Sequence, residues 1–99
     1  MEIIKTFNGN EATFAIEGWL DTQAASTMEE AINSLPSEVE SLTFDLAKME
    51  YISSSGLRIF LSIRKEAAAH GSKVIVRNIS ADIRQVFMMT GFISLFEIQ

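Results

Sequence analysis

The 99-residue chain is long enough for one compact domain, and its hydrophobic (47%) and charged (21%) fractions are those of an ordinary globular protein. It carries 8 basic and 13 acidic residues, and this net charge of −5 argues against direct binding to nucleic acid, whose phosphates such a surface repels. With no cysteine, the chain offers no disulfide framework and no thiolate metal site.

The start of the chain and its apolar runs bear on its location. Residues 1–11 (MEIIKTFNGNE) lack the basic start and apolar stretch of a signal peptide. No apolar run approaches the roughly 20 residues that a membrane span requires. We therefore expect a cytoplasmic protein with no membrane association.

The first elements form a β-hairpin. Residues 3–7 read as a strand, Asn8-Gly9 is a strong hairpin signal, and residues 12–16 alternate between apolar and other side chains as a second strand. We expect Gly18 to end that strand and Trp19 to lie in the following loop. There Trp19 is expected to pack rather than to anchor a partner, although tryptophan is common among binding hot spots.

A helix and a third strand follow. Asp21-Thr22 can cap a helix whose apolar residues Ala25, Met28, Ile32 and Leu35 form one stripe, with Pro36 as its stop. Residues 42–46 then alternate as a strand, and Asp45 lies near its C-terminal end.

The second half repeats the alternation of strand and helix. A helix begins at the serine run of residues 53–55 and ends at Gly71, residues 73–77 form a buried strand, and Ser80 caps a third helix. Residues 95–98 are predicted to be a final short strand. The order β-β-α-β-α-β-α-β predicts a single α/β domain over residues 1–99, with a mixed sheet covered by helices.

The residue types needed for catalysis are not grouped in the sequence. His70 lies 16 residues after Ser54, so on one helix the two are about 24 Å apart and cannot form a nucleophile–base pair. His70 is expected at the surface near the end of its helix. No phosphate-binding glycine loop is present. We expect no enzyme, metal or cofactor, and a small hydrolase or nucleotide-hydrolysing domain is the disfavoured alternative.

The three consecutive serines, Ser53, Ser54 and Ser55, stand where a helix begins. One of them, Ser53 or Ser54, is expected to cap the helix by accepting a bond from its first free N–H groups. A helix N-terminus also accepts an anion without damage to the fold, so a phosphoserine there would change the surface while the domain stays folded. Gly56 fits this hypothesis, because the absence of a side chain lets a kinase or partner backbone approach.

The segment Ile52–Arg58 (ISSSGLR), preceded by the strand of residues 42–46 (LTFDL), resembles the signature of STAS domains. Residues 17–21 (EGWLD) match an earlier element of that family, and residues 77–80 and 86–92 match later ones. Among STAS domains, the chain looks most like the free-standing anti-sigma factor antagonists.

The resemblance implies a partner that is both an anti-sigma factor and a serine kinase. The unmodified antagonist binds this kinase and releases a sigma factor, phosphorylation ends the binding, and a PP2C-type phosphatase restores it. The family's acceptor position is occupied here by Ser54, and Ser53 replaces the aspartate before it, which leaves Ser53 as a second conceivable site and Ser55 as a third.

Other residues are carried over with less specific functions. Asp21 and Asp45 match acidic or amide positions that shape the site. Ser53, Ser55 and Gly56 are expected to shape the site or to contact the partner, and Leu57 and Arg58 are expected to flank the contact surface. The alternative is a STAS scaffold of another branch, as in a stressosome, a lipid-transport complex or a signalling array, without a phosphorylation switch. We expect a monomer or a weak dimer.

Overall fold

The chain folds into one mixed β-sheet and three α-helices in the computed structural model, which describes residues 1–34 and 38–99. This confirms the predicted α/β class. The elements in chain order are β1 (Glu2–Asn8), β2 (Glu11–Leu20), α1 (Thr22–Asn33), β3 (Ser41–Asp45), β4 (Met49–Ile52), α2 (Ser54–His70), β5 (Lys73–Arg77), α3 (Ala81–Met89), a 3-10 helix (Phe92–Ser94) and β6 (Glu97–Ile98).

The sheet has the strand order β1-β2-β3-β5-β6, with β4 paired to the far end of β2. The β1–β2 hairpin is antiparallel, and all other pairs are parallel. Parallel neighbours need crossover connections, and α1, α2 and α3 provide them. As a result, the C-terminal ends of β2, β3, β4 and β5 all point toward the same edge of the sheet.

The core lies between the helices and one face of the sheet. Ala12, Phe14 and Ile16 of β2 are buried, whereas the residues between them are only half-buried, as expected for a strand with one covered face. Met28 of α1 and Ile83 of α3 belong to the same buried cluster. The helices therefore pack on the face that these strand residues share.

Phe60 of α2 is at the centre of this core. Its side chain is fully buried, and its ring centroid lies 4.9 Å from that of Phe44 in an edge-to-face arrangement. The rings of Phe87 and Phe96 are 5.9 and 6.1 Å away. Phe60 thus connects β3 to α3 and to the last segment of the chain.

The structure adds one strand and corrects one boundary. Residues 49–52, which the sequence left as a connection, form β4 alongside the end of β2. The prediction that the second strand ends at Gly18 is wrong: β2 continues to Leu20 across a register shift between Gly18 and Trp19. Gly18 has a φ of +88°, which glycine tolerates and which this irregularity requires.

The helix ends follow the predicted capping residues. Asp21, Ser53 and Ser80 each accept a hydrogen bond from the first turn of their helix, and Gly71 ends α2 with a φ of +73°. The predicted stop at Pro36, the stripe residue Leu35 and the surface position of the His70 side chain lie outside the described part. The final strand is shorter than the predicted residues 95–98, because Leu95 has a helical backbone as the C-cap of the 3-10 helix and only Glu97–Ile98 form β6.

Across the residues that the structure describes, no helix is both long enough and apolar enough to cross a lipid bilayer.

Candidate functional site

The starts of α1 and α2 lie side by side at one edge of the sheet. Leu20 pairs with Ile52 at the ends of the parallel strands β2 and β4, and each strand passes directly into a helix through one capping residue. The Ser53 N–H donates to the Leu20 carbonyl at 2.8 Å, which ties the two strand ends together. In front of this junction, the hydroxyls of Thr22 and Ser55 are 3.5 Å apart.

The three serines have different environments. Ser53 is buried, and its Oγ accepts a hydrogen bond from the Gly56 N–H at 3.1 Å, so it is the helix cap. Ser54 is the first residue of α2 and is exposed, whereas Ser55 is half-buried. The sequence allowed either Ser53 or Ser54 as the cap, and the hydrogen bond from the Gly56 N–H identifies Ser53. The hydroxyl of Ser54 is thereby left at the surface.

The electrostatics of this corner favour an anion. A helix N-terminus carries a partial positive charge, and here two of them, those of α1 and α2, begin next to each other. Neither helix has an acidic residue in its first turn, although the Asp21 carboxylate caps α1. A negative group on Ser54 would therefore meet free N–H groups of α2.

Gly56 is needed for packing, and the expectation that it opens a path for a partner is wrong. The residue is buried, and a Cβ on it would lie 2.9 Å from Cγ of Leu20 and 3.0 Å from Cγ1 of Ile52. The glycine lets the first turn of α2 lie directly against the ends of both strands. It thereby sets how far Ser54 projects from the sheet.

The two residues after Gly56 differ in their exposure. Leu57 is 8% exposed and belongs to the core, so the expectation that it flanks a contact surface is wrong. Arg58 is exposed one turn after Ser54 and is accessible to a partner.

The two aspartates stabilise the turns around the site. Asp21 Oδ1 accepts from the Ala24 N–H at 2.9 Å, and Asp45 Oδ1 accepts from the Ala47 N–H at 3.1 Å. Asp45 Oδ1 also accepts from Asn78 Nδ2 at 3.2 Å, which fixes the turn after β5, where Asn78 has a φ of +59°. Among the described residues, no three acidic or histidine side chains form a group that could hold a metal ion.

The structure places Trp19, which lies beside the site, differently from the prediction. Trp19 lies in β2 rather than in a loop, and it is 56% exposed. Its ring packs against that of Tyr51 in β4, with centroids 5.0 Å apart and planes tilted by 38°. Hydrophobic alternation does not detect this pair, because both residues face away from the core and β4 is too short to show a period.

The capping function of Ser53 gives a direct stability prediction. Ser53→Ala should lower the free energy of unfolding by about 1 kcal/mol, because the Gly56 N–H loses its acceptor. Ser53→Asp should retain most of the stability, because aspartate is an equally good cap. Urea unfolding followed by circular dichroism would measure both changes. Equal losses in the two variants would contradict the capping function.

Comparison with known proteins agrees with this geometry. The family model described as "STAS domain" matches residues 2–99. The chain therefore belongs to the STAS domain family.

A curated relative is named "Putative anti-sigma factor antagonist BtrV", from Bordetella bronchiseptica. It is 32% identical over 57 residues, which are 58% of this chain and 49% of that protein. The matched region thus spans about half of that relative's length.

Two kinds of solved structure share the fold. The anti-sigma factor antagonist SpoIIAA in its unphosphorylated form superposes with a TM-score of 0.80, at 18% identity over 99% of this chain and 87% of that one. The phosphorylated form of this Bacillus protein gives 0.79, at 19% identity over 99% and 91%. The STAS domain of a SulP transporter from Vibrio cholerae gives 0.73, at 20% identity over 94% and 75%.

Proposed function

We propose that the chain is an anti-sigma factor antagonist controlled by phosphorylation of Ser54. In its unmodified form it binds an anti-sigma factor that is also a serine kinase, and this binding releases the sigma factor. The kinase transfers the γ-phosphoryl group of ATP to Ser54 Oγ, with release of ADP and of the hydroxyl proton. The phosphorylated chain then dissociates, and a PP2C-type phosphatase restores it by hydrolysis.

The observation that carries the proposal is the division of tasks between two neighbouring serines. Ser53 holds the helix start with a buried hydroxyl, so Ser54 is free of any capping function and exposed at the first position of α2. An acceptor for a kinase and a substrate for a phosphatase must be accessible, and Ser54 meets this requirement without any unfolding. Membership of the STAS family and the likeness to BtrV support the same function.

The change of charge explains how modification would end binding. A phosphate replaces a neutral hydroxyl with about −1.5 to −2 charges. Within the isolated domain this charge lies at a helix start, where it is tolerated. When a partner surface that fits the hydroxyl covers Ser54, the phosphate charge is buried without a counter-ion. Such a mismatch lowers the binding free energy by several kcal/mol.

Phosphorylation by the cognate anti-sigma factor kinase tests the proposal. With ATP and Mg²⁺, the chain should gain one phosphate, and peptide mass spectrometry should locate it on Ser54. Ser54→Ala should remain folded and unmodified and should bind the kinase with the affinity of the unmodified chain.

The other outcomes separate the alternatives. Phosphate on Ser53 or Ser55 would contradict the assigned position. Kinase binding with no phosphate transfer, at any ATP concentration, would favour a STAS scaffold without a switch. The STAS domain of the SulP transporter shares the fold, so the fold alone does not exclude this alternative.

A further inference from the structure

Trp19 and Tyr51 form an exposed aromatic surface next to the proposed switch. The two rings are 56% and 43% exposed, although large aromatic side chains are usually buried when nothing binds them. They come from paired positions on β2 and β4, and the two rings pack against each other. Two exposed rings in contact present apolar area, and aromatic side chains lose little conformational entropy when a partner covers them.

This aromatic pair lies close to Ser54. Tyr51 precedes Ser54 by three residues, a distance of at most about 10 Å between Cα atoms even in an extended chain. Trp19 is the neighbour of Tyr51 in the sheet, and it precedes the start of α1. An interface of ordinary size that is centred on Ser54 therefore includes the aromatic pair.

Acidic residues lie near the pair along both strands, Glu17 on β2 and Glu50 on β4. An open cavity of about 560 Å³ is lined in part by Gly18 and Glu50, which precede Trp19 and Tyr51 in the chain. Its other lining residues are Met1, Glu2, Glu17 and Lys48. Lys48 is paired with Glu17 at 3.8 Å, and the lining holds two further carboxylates, those of Glu2 and Glu50.

We propose that Trp19 and Tyr51 are the anchor residues for the anti-sigma factor kinase, and that they receive a segment in which an arginine or lysine lies among apolar side chains. This inference rests on the proposed function. The ring faces attract a cationic side chain, the neighbouring carboxylates add to this attraction, and the net charge of −5 favours a basic partner. Aromatic anchors then supply affinity, while Ser54 supplies control.

Binding of the purified cognate kinase to single-residue variants tests the inference. By calorimetry, Trp19→Ala and Tyr51→Ala should each weaken binding at least about tenfold, as expected for central aromatic anchors. Tyr51→Phe should stay within about threefold of the unmodified chain, because it keeps the ring.

Phe7→Ala is the matched control. Phe7 is also an exposed aromatic residue (51%), but it pairs with Ala12, about 23 Å along β2 from Trp19. Its removal should leave the affinity within about twofold. Circular dichroism should show that all variants are folded.

A second measurement needs no substitution. Because Trp19 is the sole tryptophan, a chain labelled with 5-fluorotryptophan gives one ¹⁹F resonance. Addition of unlabelled kinase should shift this resonance and remove its dependence on the H₂O/D₂O ratio, since the ring becomes buried.

The outcomes separate this inference from the proposed function. If the kinase binds the unmodified chain but Trp19→Ala binds equally well and the ¹⁹F resonance does not move, the anchor proposal is wrong and the switch at Ser54 stands. If the kinase does not bind the unmodified chain at all, the proposed function is wrong, and the anchor proposal is wrong with it.

Discussion

Phosphorylation of Ser54 should weaken binding to the cognate kinase at least about a hundredfold, which corresponds to about 2.7 kcal/mol. The reason is local: a dianion replaces a hydroxyl at an exposed helix start, and no part of the core changes. Calorimetric titration of the kinase with the unmodified and the enzymatically phosphorylated chain would measure the difference. Ser54→Asp should weaken binding in the same direction but by less, because it adds only one charge.

The matched control adds the same charge elsewhere on the same helix. Ala69 is exposed on α2, 15 residues after Ser54 and about 22 Å along the axis. Ala69→Asp should therefore leave the affinity within about twofold. If Ala69→Asp and Ser54→Asp weaken binding equally, total charge rather than position controls the interaction, and the switch at Ser54 is contradicted.

Phe60→Ala should produce the largest loss of stability, about 3–5 kcal/mol. Its side chain is fully buried, and its ring packs on those of Phe44, Phe87 and Phe96, so truncation leaves a cavity lined by aromatic groups from distant parts of the chain. Small domains have a total stability of about 5–15 kcal/mol, so this variant should be close to unfolded at room temperature.

Urea unfolding followed by circular dichroism would measure this loss. Phe7→Ala removes the same side chain from an exposed position on β1 and should cost no more than about 0.5 kcal/mol. A loss below about 1 kcal/mol for Phe60→Ala would show that the core does not depend on this ring.

The parts of the fold that follow from local physical chemistry were predictable. The caps Asp21 and Ser80 precede helices with a clear apolar stripe, and the alternation of Ala12, Phe14 and Ile16 indicates a strand with one covered face. These features depend on neighbouring residues alone. The order of strands and helices then limits the topology to a mixed sheet with parallel crossovers.

The parts that depend on contacts across the fold were not predictable. β4 has four residues, too few to show a hydrophobic period. It forms because β2 continues past Gly18 and provides an edge with which β4 pairs. The burial of Leu57 and the contact of Gly56 with Leu20 likewise require knowing which strand lies under α2. Whether Ser53 or Ser54 caps the helix depends on the direction in which the first turn of α2 faces, and the other serine is then exposed.

The position of Ser54 also affects the expected lifetime of the phosphorylated chain. A phosphate at the first residue of α2 would interact favourably with the helix dipole, by about 0.3–1 kcal/mol, and would not disturb the packing of Gly56. If Ser54 is modified as proposed, the inactive form is thus at least as resistant to proteolysis as the active one. The pool would then be recycled by dephosphorylation rather than replaced by new synthesis, and the duration of the response would be set by phosphatase activity.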